Sequence, residues 1–118
     1  MGHSIAWEKH GTCITYSGLV TFMDFMSAVL AIHMNPNYSS LKYAIHDMSQ
    51  ATELDFSQVD MTQLVAHELG ARYTNPDVKA CVVTHNDQMR KTVETFSKLT
   101  KLEVGLFYTL EQARAWVR

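Results

Sequence analysis

The chain has 118 residues, of which 47% are hydrophobic and 19% charged, and its formal net charge at pH 7 is −2. That length predicts a single domain over residues 1–118 with one hydrophobic core. The composition is not that of a disordered chain, and the charge balance lacks the positive footprint that nucleic-acid binding requires.

The cysteines and the N-terminus indicate a cytoplasmic protein. Cys13 and Cys81 lie in apolar, strand-like runs, where isolated cysteines behave as small buried hydrophobic residues. Two cysteines are too few for a disulfide framework, which favours a reducing compartment. No signal-peptide pattern is present, and the longest apolar stretch, 22–34, is too short to span a bilayer. We therefore expect no membrane insertion.

The first elements form a predicted antiparallel hairpin. Residues 4–10 and 12–17 are β-favouring runs, and Gly11 separates them. The pattern breaks at Gly18, where we expect the second strand to end.

A first helix is predicted from a cap at Thr21 to about Met34. Thr21 and Asp24 form a variant of the capping box, and Pro36 ends the helix because the residue before proline disfavours helical angles. The apolar residues cover roughly 200° of the helix surface, about twice what packing on a sheet needs. Either the domain itself wraps this helix, or part of the arc meets another subunit or a ligand; that part comprises Met23, Leu30 and Met34.

The stretch 41–57 is where we expect recognition to occur. Residues 43–48 are predicted as a buried strand, followed by a polar loop of about eight residues, which is longer than usual between strand and helix. Ser57 is the predicted cap of a second helix over 58–73, with Asp60 at the capping-box position. The apolar stripe of that helix comprises Val59, Met61, Val65, Leu69 and Tyr73.

The remaining elements complete an alternating pattern. Residues 78–84 form an almost unbroken apolar run, typical of a parallel strand covered on both faces. A third helix follows Asn86, with an apolar stripe made of Met89, Val93, Phe96 and Leu99. Residues 103–108 are the last predicted strand, and Thr109 with Gln112 caps the last helix.

The predicted order is therefore β-β-α-β-α-β-α-β-α. Strands that alternate with helices predict an α/β fold with right-handed crossovers and a mainly parallel sheet. The sheet has five strands, one of them antiparallel and contributed by the N-terminal hairpin, and the helices pack on the sheet.

Three short motifs lie at residues 18–20, 43–49 and 54–57, with the sequences GLV, YAIHDMS and LDFS. They resemble the SpoIIAA-like, or STAS, domain family, which includes anti-sigma-factor antagonists and uncharacterised bacterial proteins. The resemblance spans nearly the whole chain and implies a SpoIIAA-like fold and a regulatory module without catalysis. In the signalling antagonists a serine directly after the aspartate of the third motif is phosphorylated. Phe56 stands at that position here, which argues against the same phosphoswitch, although Ser49 and Ser57 lie close by.

Ligands of an open parallel sheet gather at the carboxyl ends of the strands. We expect a recognition surface at that edge, and its candidate residues are Asp47, Ser49, Asp55, Phe56, Ser57 and His85. Alternatively, Asp47, Ser49 and Asn86 only cap loops and helix starts. His46 and Asp47 are adjacent on a strand, so they should point to opposite faces of the sheet. No catalytic motif is complete, and we expect no enzyme activity, cofactor or metal.

Two functions remain open on these residues. The first is a non-catalytic regulatory module, forming a homodimer, that binds a protein partner through the 47–57 stretch and neighbouring helix faces. The second is the binding of an apolar or lipid-like small molecule in a pocket lined by the first helix together with Phe25, Phe56 and Tyr73.

Overall fold

The computed structural model describes residues 2–57 and 60–118. It contains one sheet in the order β1-β2-β3-β4-β5, in which β1 is antiparallel to β2 and all other neighbours are parallel. The strands are β1 (His3–Trp7), β2 (Gly11–Thr21), β3 (Tyr43–Asp55), β4 (Lys79–Val83) and β5 (Val104–Phe107). The helices are α1 (Phe22–His33), α2 (Met61–Thr74), α3 (Asp87–Thr100) and α4 (Leu110–Val117), with a short 3-10 helix, Tyr38–Ser40, after α1. The predicted fold class and element order are confirmed.

The four helices divide unequally between the two faces of the sheet. Each parallel crossover moves to the next strand in the same direction, and a right-handed crossover then places α1, α2 and α3 on one face. The main core lies on that face and includes Tyr16, Val29, Val82 and Phe96. A smaller core beneath α4 covers the other face and includes Cys13, Ile45, Cys81, Val83 and Ala113. The run 78–84 is therefore covered on both sides, as predicted, and both cysteines are buried free thiols.

The predicted helix caps at Thr21 and Thr109 are confirmed. The Thr21 hydroxyl accepts a hydrogen bond from the backbone N–H of Asp24, and the Asp24 carboxylate accepts one from the backbone N–H of Thr21. Thr109 and Gln112 make the same reciprocal pair at the start of α4. Each pair satisfies backbone donors that a helix start leaves without intrahelical partners.

The predicted end of the second strand at Gly18 is wrong. β2 continues to Thr21, and Gly18 adopts a φ of 68° beside two shifts in the register between β2 and β3. A glycine tolerates this left-handed conformation at a β-bulge without ending the strand.

The predicted start of the second helix is also wrong, and its predicted apolar face is confirmed only in part. Asp60, not Ser57, caps α2 by accepting a hydrogen bond from the backbone N–H of Gln63, while residues 58 and 59 lie outside the described part of the chain. Met61 and Val65 pack against the core as predicted. Leu69 and Tyr73 are exposed, at 40% and 92%, and Leu64 is the buried residue of the helix. Residues 64, 68 and 72 follow one another at four-residue spacing, so Glu68 and Arg72 share the inward side with Leu64. An inward face with two charged residues does not show up as an apolar stripe.

The stripe predicted for α3 is confirmed for three of its four residues. Met89, Val93 and Phe96 are buried, whereas Leu99 is 61% exposed. Leu99 is rotated by about 60° from Phe96 around the helix axis, which turns it away from the sheet.

An ion pair joins the N-terminal hairpin to the last helix. Arg114 donates two hydrogen bonds to the Glu8 carboxylate, at 2.6 and 2.7 Å, and the Tyr43 hydroxyl donates another to the same carboxylate. The hydrogen bond from Arg114 is the largest influence on Glu8 and holds its pKa below the usual value. Bidentate pairs of this kind fix geometry as well as charge, so α4 is tied to the opposite end of the chain.

Phe56 belongs to the core and not to the surface. It is 3% exposed and packs edge-on against Phe22, with ring centroids 5.6 Å apart, and against Phe25 at 6.0 Å. Such aromatic contacts add to the hydrophobic stabilisation of the buried area.

His46 is a buried polar residue inside the same core. Its Nδ1 and the Tyr16 hydroxyl share a hydrogen bond of 2.8 Å, and its ring lies 5.0 Å from that of Phe25. Burial penalises the charged imidazolium and lowers the pKa of His46 from 6.5 to about 4. The ring therefore stays neutral in the folded protein throughout the physiological pH range.

We expect Phe56→Ala to reduce the free energy of unfolding by about 3–5 kcal/mol, because it removes a buried aromatic ring and leaves a cavity. Urea denaturation at pH 7 measures this loss. The neighbouring variant Ser57→Ala is the control, and its exposed side chain should change stability by about 0.5 kcal/mol or less. Equal and small losses for both variants would contradict the core position of Phe56.

We expect acid to destabilise the protein through His46. Folding lowers the pKa of His46. Below pH 6.5 the His46 ring of the unfolded chain is therefore protonated, whereas that of the folded chain stays neutral down to about pH 4. Stability is therefore fully present above pH 6.5 and falls as the pH drops, by roughly 3 kcal/mol between pH 7 and pH 4 from this residue alone. Denaturation of wild type and His46→Gln at both pH values measures the difference in slope. NMR titration of the ring provides a second measure, and protonation near pH 6.5 would contradict the prediction.

Candidate functional site

The carboxyl edge of the sheet is shaped by the unequal lengths of its strands. β4 pairs with β3 only from Tyr43 to Asp47, whereas β3 runs on to Asp55 beside β2. We call residues 48–55 the β3 extension. The predicted polar loop after the strand is therefore wrong, because these residues pair with residues 17–21 of β2 and form a two-stranded ribbon beyond the rest of the sheet.

The β3 extension contains extra residues relative to its partner. Thr15 pairs with Asp47 but Ser17 pairs with Gln50, and Gly18 pairs with Ala51 but Leu19 pairs with Glu53. Each step inserts one additional residue into β3, as in a β-bulge, which increases the local twist. These irregularities disturb the alternation of inward and outward side chains, so the segment lacks the sequence pattern of a strand.

Asp47 and Ser49 are joined by a local hydrogen bond. The Asp47 carboxylate accepts a bond of 3.0 Å from the backbone N–H of Ser49, and Asp47 is buried while Ser49 is exposed. The role of Asp47 in satisfying a backbone donor, one of the two alternatives from the sequence, is therefore observed. Of these two residues, only Ser49 has a side chain that is accessible to a partner.

A shallow groove brings Ser49 and His85 together. The edge groove, as we call it, has a volume of about 90 Å³ and lies between residues 48, 49 and 51–54 of β3 and residues 84–86 after β4. The Asn86 side chain beside it accepts a hydrogen bond from the backbone N–H of Met89 and so caps α3. Two of the predicted candidate residues thus meet at one site.

An aromatic group stands next to the edge groove. Tyr108 is half-exposed, and its ring lies 5.3 Å from that of His85. The Arg90 guanidinium stacks over the same ring at 4.1 Å and donates a hydrogen bond to the Thr84 carbonyl. Arg90 was not predicted as a site residue, because lysines and arginines on a helix face carry no distinguishing pattern. Tyr108 was expected at the carboxyl ends of the strands but was not among the candidate residues.

Asp55 and Ser57 form an exposed turn at the far end of the extension. The backbone N–H and the hydroxyl of Ser57 both donate to one Asp55 carboxylate oxygen, at 3.1 and 2.7 Å. These bonds, led by that of the hydroxyl, lower the pKa of Asp55, so the carboxylate is charged at neutral pH. Phe56 between them is buried, so its proposed place in the recognition surface is corrected: the hydrophobic ring packs into the core.

The structure places His46 and Asp47 on opposite faces of β3, as predicted. His46 contacts Phe25 of α1, on the face that carries three helices, and so cannot act together with Asp47. Within residues 2–57 and 60–118, no three histidine, cysteine, aspartate or glutamate side chains lie close enough to hold a metal ion. None of the helices in those ranges is long and apolar enough to cross a membrane.

The cavity beside Phe25 is small. It encloses about 50 Å³ between the sheet, α2 and α3, with His46 and Glu68 among its lining residues. Pockets for drug-sized ligands have volumes of roughly 300–1,000 Å³. Phe56 does not line this cavity, and Tyr73 points into solvent. Phe25 and Phe56 contact each other in the core, but Tyr73 lies apart from them, so the three aromatic residues do not line one apolar pocket.

The three candidate interface residues lie on one side of α1, with Met34 directly after its last residue. Met23 is 75% exposed and Met34 80% exposed, while Leu30 is partly buried against the core. At 100° per residue the three fall within about 40° of one another on the helix, and the stripe is about 16 Å long. We call it the α1 stripe. Part of the wide apolar arc is thus wrapped by the domain, and part faces outward.

Comparisons with known proteins identify the fold. No family model and no curated protein sequence matches the chain significantly. The unphosphorylated form of the anti-sigma factor antagonist SpoIIAA aligns with a TM-score of 0.58 and 10% identity, over 96% of this chain and 94% of that chain. The phosphorylated Bacillus cell fate determinant SpoIIAA aligns with a TM-score of 0.57 and 18% identity, over 98% and 99%.

A third solved structure shares the same architecture. An uncharacterised protein of the DUF3478 family from Shewanella loihica PV-4, described as having a SpoIIAA-like fold, aligns with a TM-score of 0.59 and 13% identity, over 99% of this chain and 94% of that chain. These alignments cover nearly every residue in both directions. The chain therefore has a SpoIIAA-like fold.

Proposed function

We propose that this chain is a non-catalytic regulatory module of the cytoplasm that binds a protein partner at the carboxyl edge of its sheet. The contact surface consists of the β3 extension with Ser49, Asp55, Ser57 and His85. The observation that carries this proposal is the continuation of β3 beyond β4, which presents a polar ribbon to solvent.

The shape and composition of this edge favour a macromolecular partner. A groove of about 90 Å³ is too shallow to enclose a metabolite, but it suits one side chain of a protein that covers the whole edge. Tyrosine and arginine are the residues most often found at the energetic centres of protein interfaces. Here Tyr108 and Arg90 stack beside the groove and are already held in place before any partner arrives.

The local hydrogen bonds support a binding role over a catalytic one. The Asp47 carboxylate accepts from the Ser49 backbone and is not directed at a histidine. His85 packs against Tyr108 at the surface, where a nucleophile and a base would both be open to water. Nucleophilic catalysis needs a base bonded to the nucleophile and oriented by a third group.

The shared fold supports the same class of function. SpoIIAA is described as an anti-sigma factor antagonist, and such a role is exerted on another protein. At 10–18% identity the comparison carries no residue-level role across, so the identity of the partner is open. The buried free thiols of Cys13 and Cys81 fit a reducing cytoplasm.

We also propose that the module forms a homodimer through the α1 stripe. Two exposed methionines flanking a partly buried leucine place flexible apolar side chains in one row. Such a row is suited to isologous packing against the same row of a second copy.

Photo-crosslinking tests the proposed partner site. We expect a photoreactive benzoyl side chain at Thr52, in the β3 extension, to give one discrete adduct with a second protein in cells of the source organism. The same group at Glu111, exposed on α4, is the matched control and should give none, because α4 lies on the other face of the sheet. Mass spectrometry of the adduct identifies the partner. Absence of an adduct from Thr52, or equal adducts from both positions, would contradict the proposal.

Light scattering tests the homodimer. We expect wild-type protein to have the mass of a dimer and the double variant Met23→Ser, Met34→Ser to have that of a monomer, because both substitutions remove exposed apolar contacts. Leu99→Ser removes an exposed apolar residue from α3 and should leave the dimer intact. A monomeric wild type, or a dimer unaffected by the double variant, would overturn this use of the α1 stripe.

A further inference from the structure

The β3 extension has one edge paired and one edge open. Its first edge is paired with β2 from Gln50 to Asp55. On the opposite edge β4 stops at Val83, opposite Asp47, and within residues 2–57 and 60–118 no strand pairs beyond that point. A strand directs alternate N–H and C=O groups to each side, so the open edge presents a row of unpaired backbone donors and acceptors.

We propose that this open edge binds an extended, basic segment of the partner as an added β-strand. The inference rests on the proposed function and specifies how the partner is recognised. Strand addition uses the backbone for affinity and alternate side chains for specificity.

The extension lacks lysine and proline, two of the residues that keep native sheet edges unpaired. Its two bulges and its carboxylates are also edge-protecting features, but the carboxylates oppose only a strand of like charge. Residues 49–55, SQATELD, contain neither lysine, arginine nor proline. At about 3.3 Å per residue this edge is about 20 Å long, enough to pair with a segment of six or seven residues.

The negative charge along the open edge favours a basic segment as the added strand. Glu53 and Asp55 are exposed, and Asp60 follows them at the start of α2. The nearby Arg90 is engaged with the Thr84 carbonyl and the Tyr108 ring. Lysine or arginine side chains on an incoming strand would face these carboxylates, and opposite charges across a strand pair are stabilising.

The same charges disfavour a second copy of this chain as the occupant. Pairing of two identical edges would bring the carboxylates Glu53 and Asp55 of both copies onto one short ribbon. Like charges in close cross-strand positions are destabilising. The acidic edge therefore acts against self-association while it attracts a basic strand.

The edge groove supplies a position for one side chain of the added strand. It lies directly beside residues 51–54 and is closed on its far side by Thr84, His85 and Asn86. A strand on the open edge would place a side chain from every second residue toward one face of the ribbon, so one of them can enter the groove.

Peptide titration followed by NMR tests the inference. The probes are three heptapeptides with blocked ends: alternating lysine and valine, alternating glutamate and valine, and alternating lysine and proline. We expect the lysine–valine peptide to shift amide signals of residues 49–55 and 84–86 and to slow their hydrogen exchange. The lysine–proline peptide has the same charge, but its prolines lack an N–H and hold the chain near the polyproline II conformation, which does not pair as a strand, so it should produce little change.

A charge-reversal variant sharpens the test. We expect Glu53→Lys with Asp55→Lys to weaken binding of the lysine–valine peptide about tenfold and to strengthen that of the glutamate–valine peptide. Glu111→Lys on α4 is the control and should leave both affinities unchanged. Equal binding of the proline-containing peptide, or shifts centred elsewhere, would overturn strand addition. The same signals shifting on dilution of the protein alone would assign the edge to a second copy.

Failure of strand addition is distinguishable from failure of the proposed function. If crosslinking from Thr52 captures a partner but no basic peptide binds the open edge, the partner site stands and strand addition fails. If the peptide binds but no protein adduct forms in cells, strand addition is a property of the fold without the proposed regulatory role.

Discussion

The parallel pairing of β2 with β3 is the interaction on which the rest of the structure depends. It begins at Gly11 and Tyr43 and ends at Thr21 and Asp55, carried through two register shifts. α1 starts directly after Thr21, and Phe56 directly follows Asp55. The register at this end therefore brings Phe22 and Phe56 together in the core. A slip of one residue would turn the side chains of β3 to the wrong face of the sheet.

The shortness of β4 and β5 gives the same pairing a structural consequence, on which the proposed function rests. Both strands stop where β3 is still running, so the end of the β2–β3 ribbon has no neighbour on that side. Tyr108 and His85 occupy the level at which the shorter strands end. This edge therefore combines an open strand with neighbouring aromatic and basic side chains. A protein partner could bind such a surface without a deep pocket.

The helices around the sheet differ in how firmly they are packed. α1 and α3 bury clear apolar faces, whereas α2 buries Leu64 and turns Glu68 and Arg72 inward. Glu68 lies 3.3 Å from the Nε2 of His33, so part of the contact between α1 and α2 is polar. Burial is the largest single influence on Glu68 and raises its pKa, but the hydrogen bond from His33 and the nearby charges, Arg72 among them, together outweigh it, so the pKa of Glu68 is lowered.

Sequence patterns predicted the features that depend on interactions between residues close together in the chain. Thr21 with Asp24, and Thr109 with Gln112, have the spacing that a capping box requires, and both are observed. The extension of β3 was missed because its bulges remove the alternation by which strands are found, and its polar residues resemble a loop. A usable signal was the lack of glycine and proline from residue 43 to 55. The face of α2 was predicted only in part, because Glu68 and Arg72 share its inward side with apolar residues, and the partner that Glu68 finds there, His33, is supplied by another helix.

The candidate site was only partly predictable for a related reason. Ser49, Asp55, Ser57 and His85 are polar residues after apolar runs and are exposed at the edge, as chain order suggests. Whether an aromatic residue in such a segment faces water or the core depends on tertiary packing, and Phe56 faces the core. Tyr108 directly follows β5 and so lies at the same edge, whereas Arg90 joins the site only through tertiary packing.

Amide hydrogen exchange of residues 50–55 in the free protein tests the central claim most directly. We expect a mixed pattern, with the amides bonded to β2 exchanging slowly and those on the open edge exchanging fast. Fast exchange at every position would show that the segment is a loop. Slow exchange at every position would show that the edge is already covered, and either result would contradict an open strand at this end of the sheet.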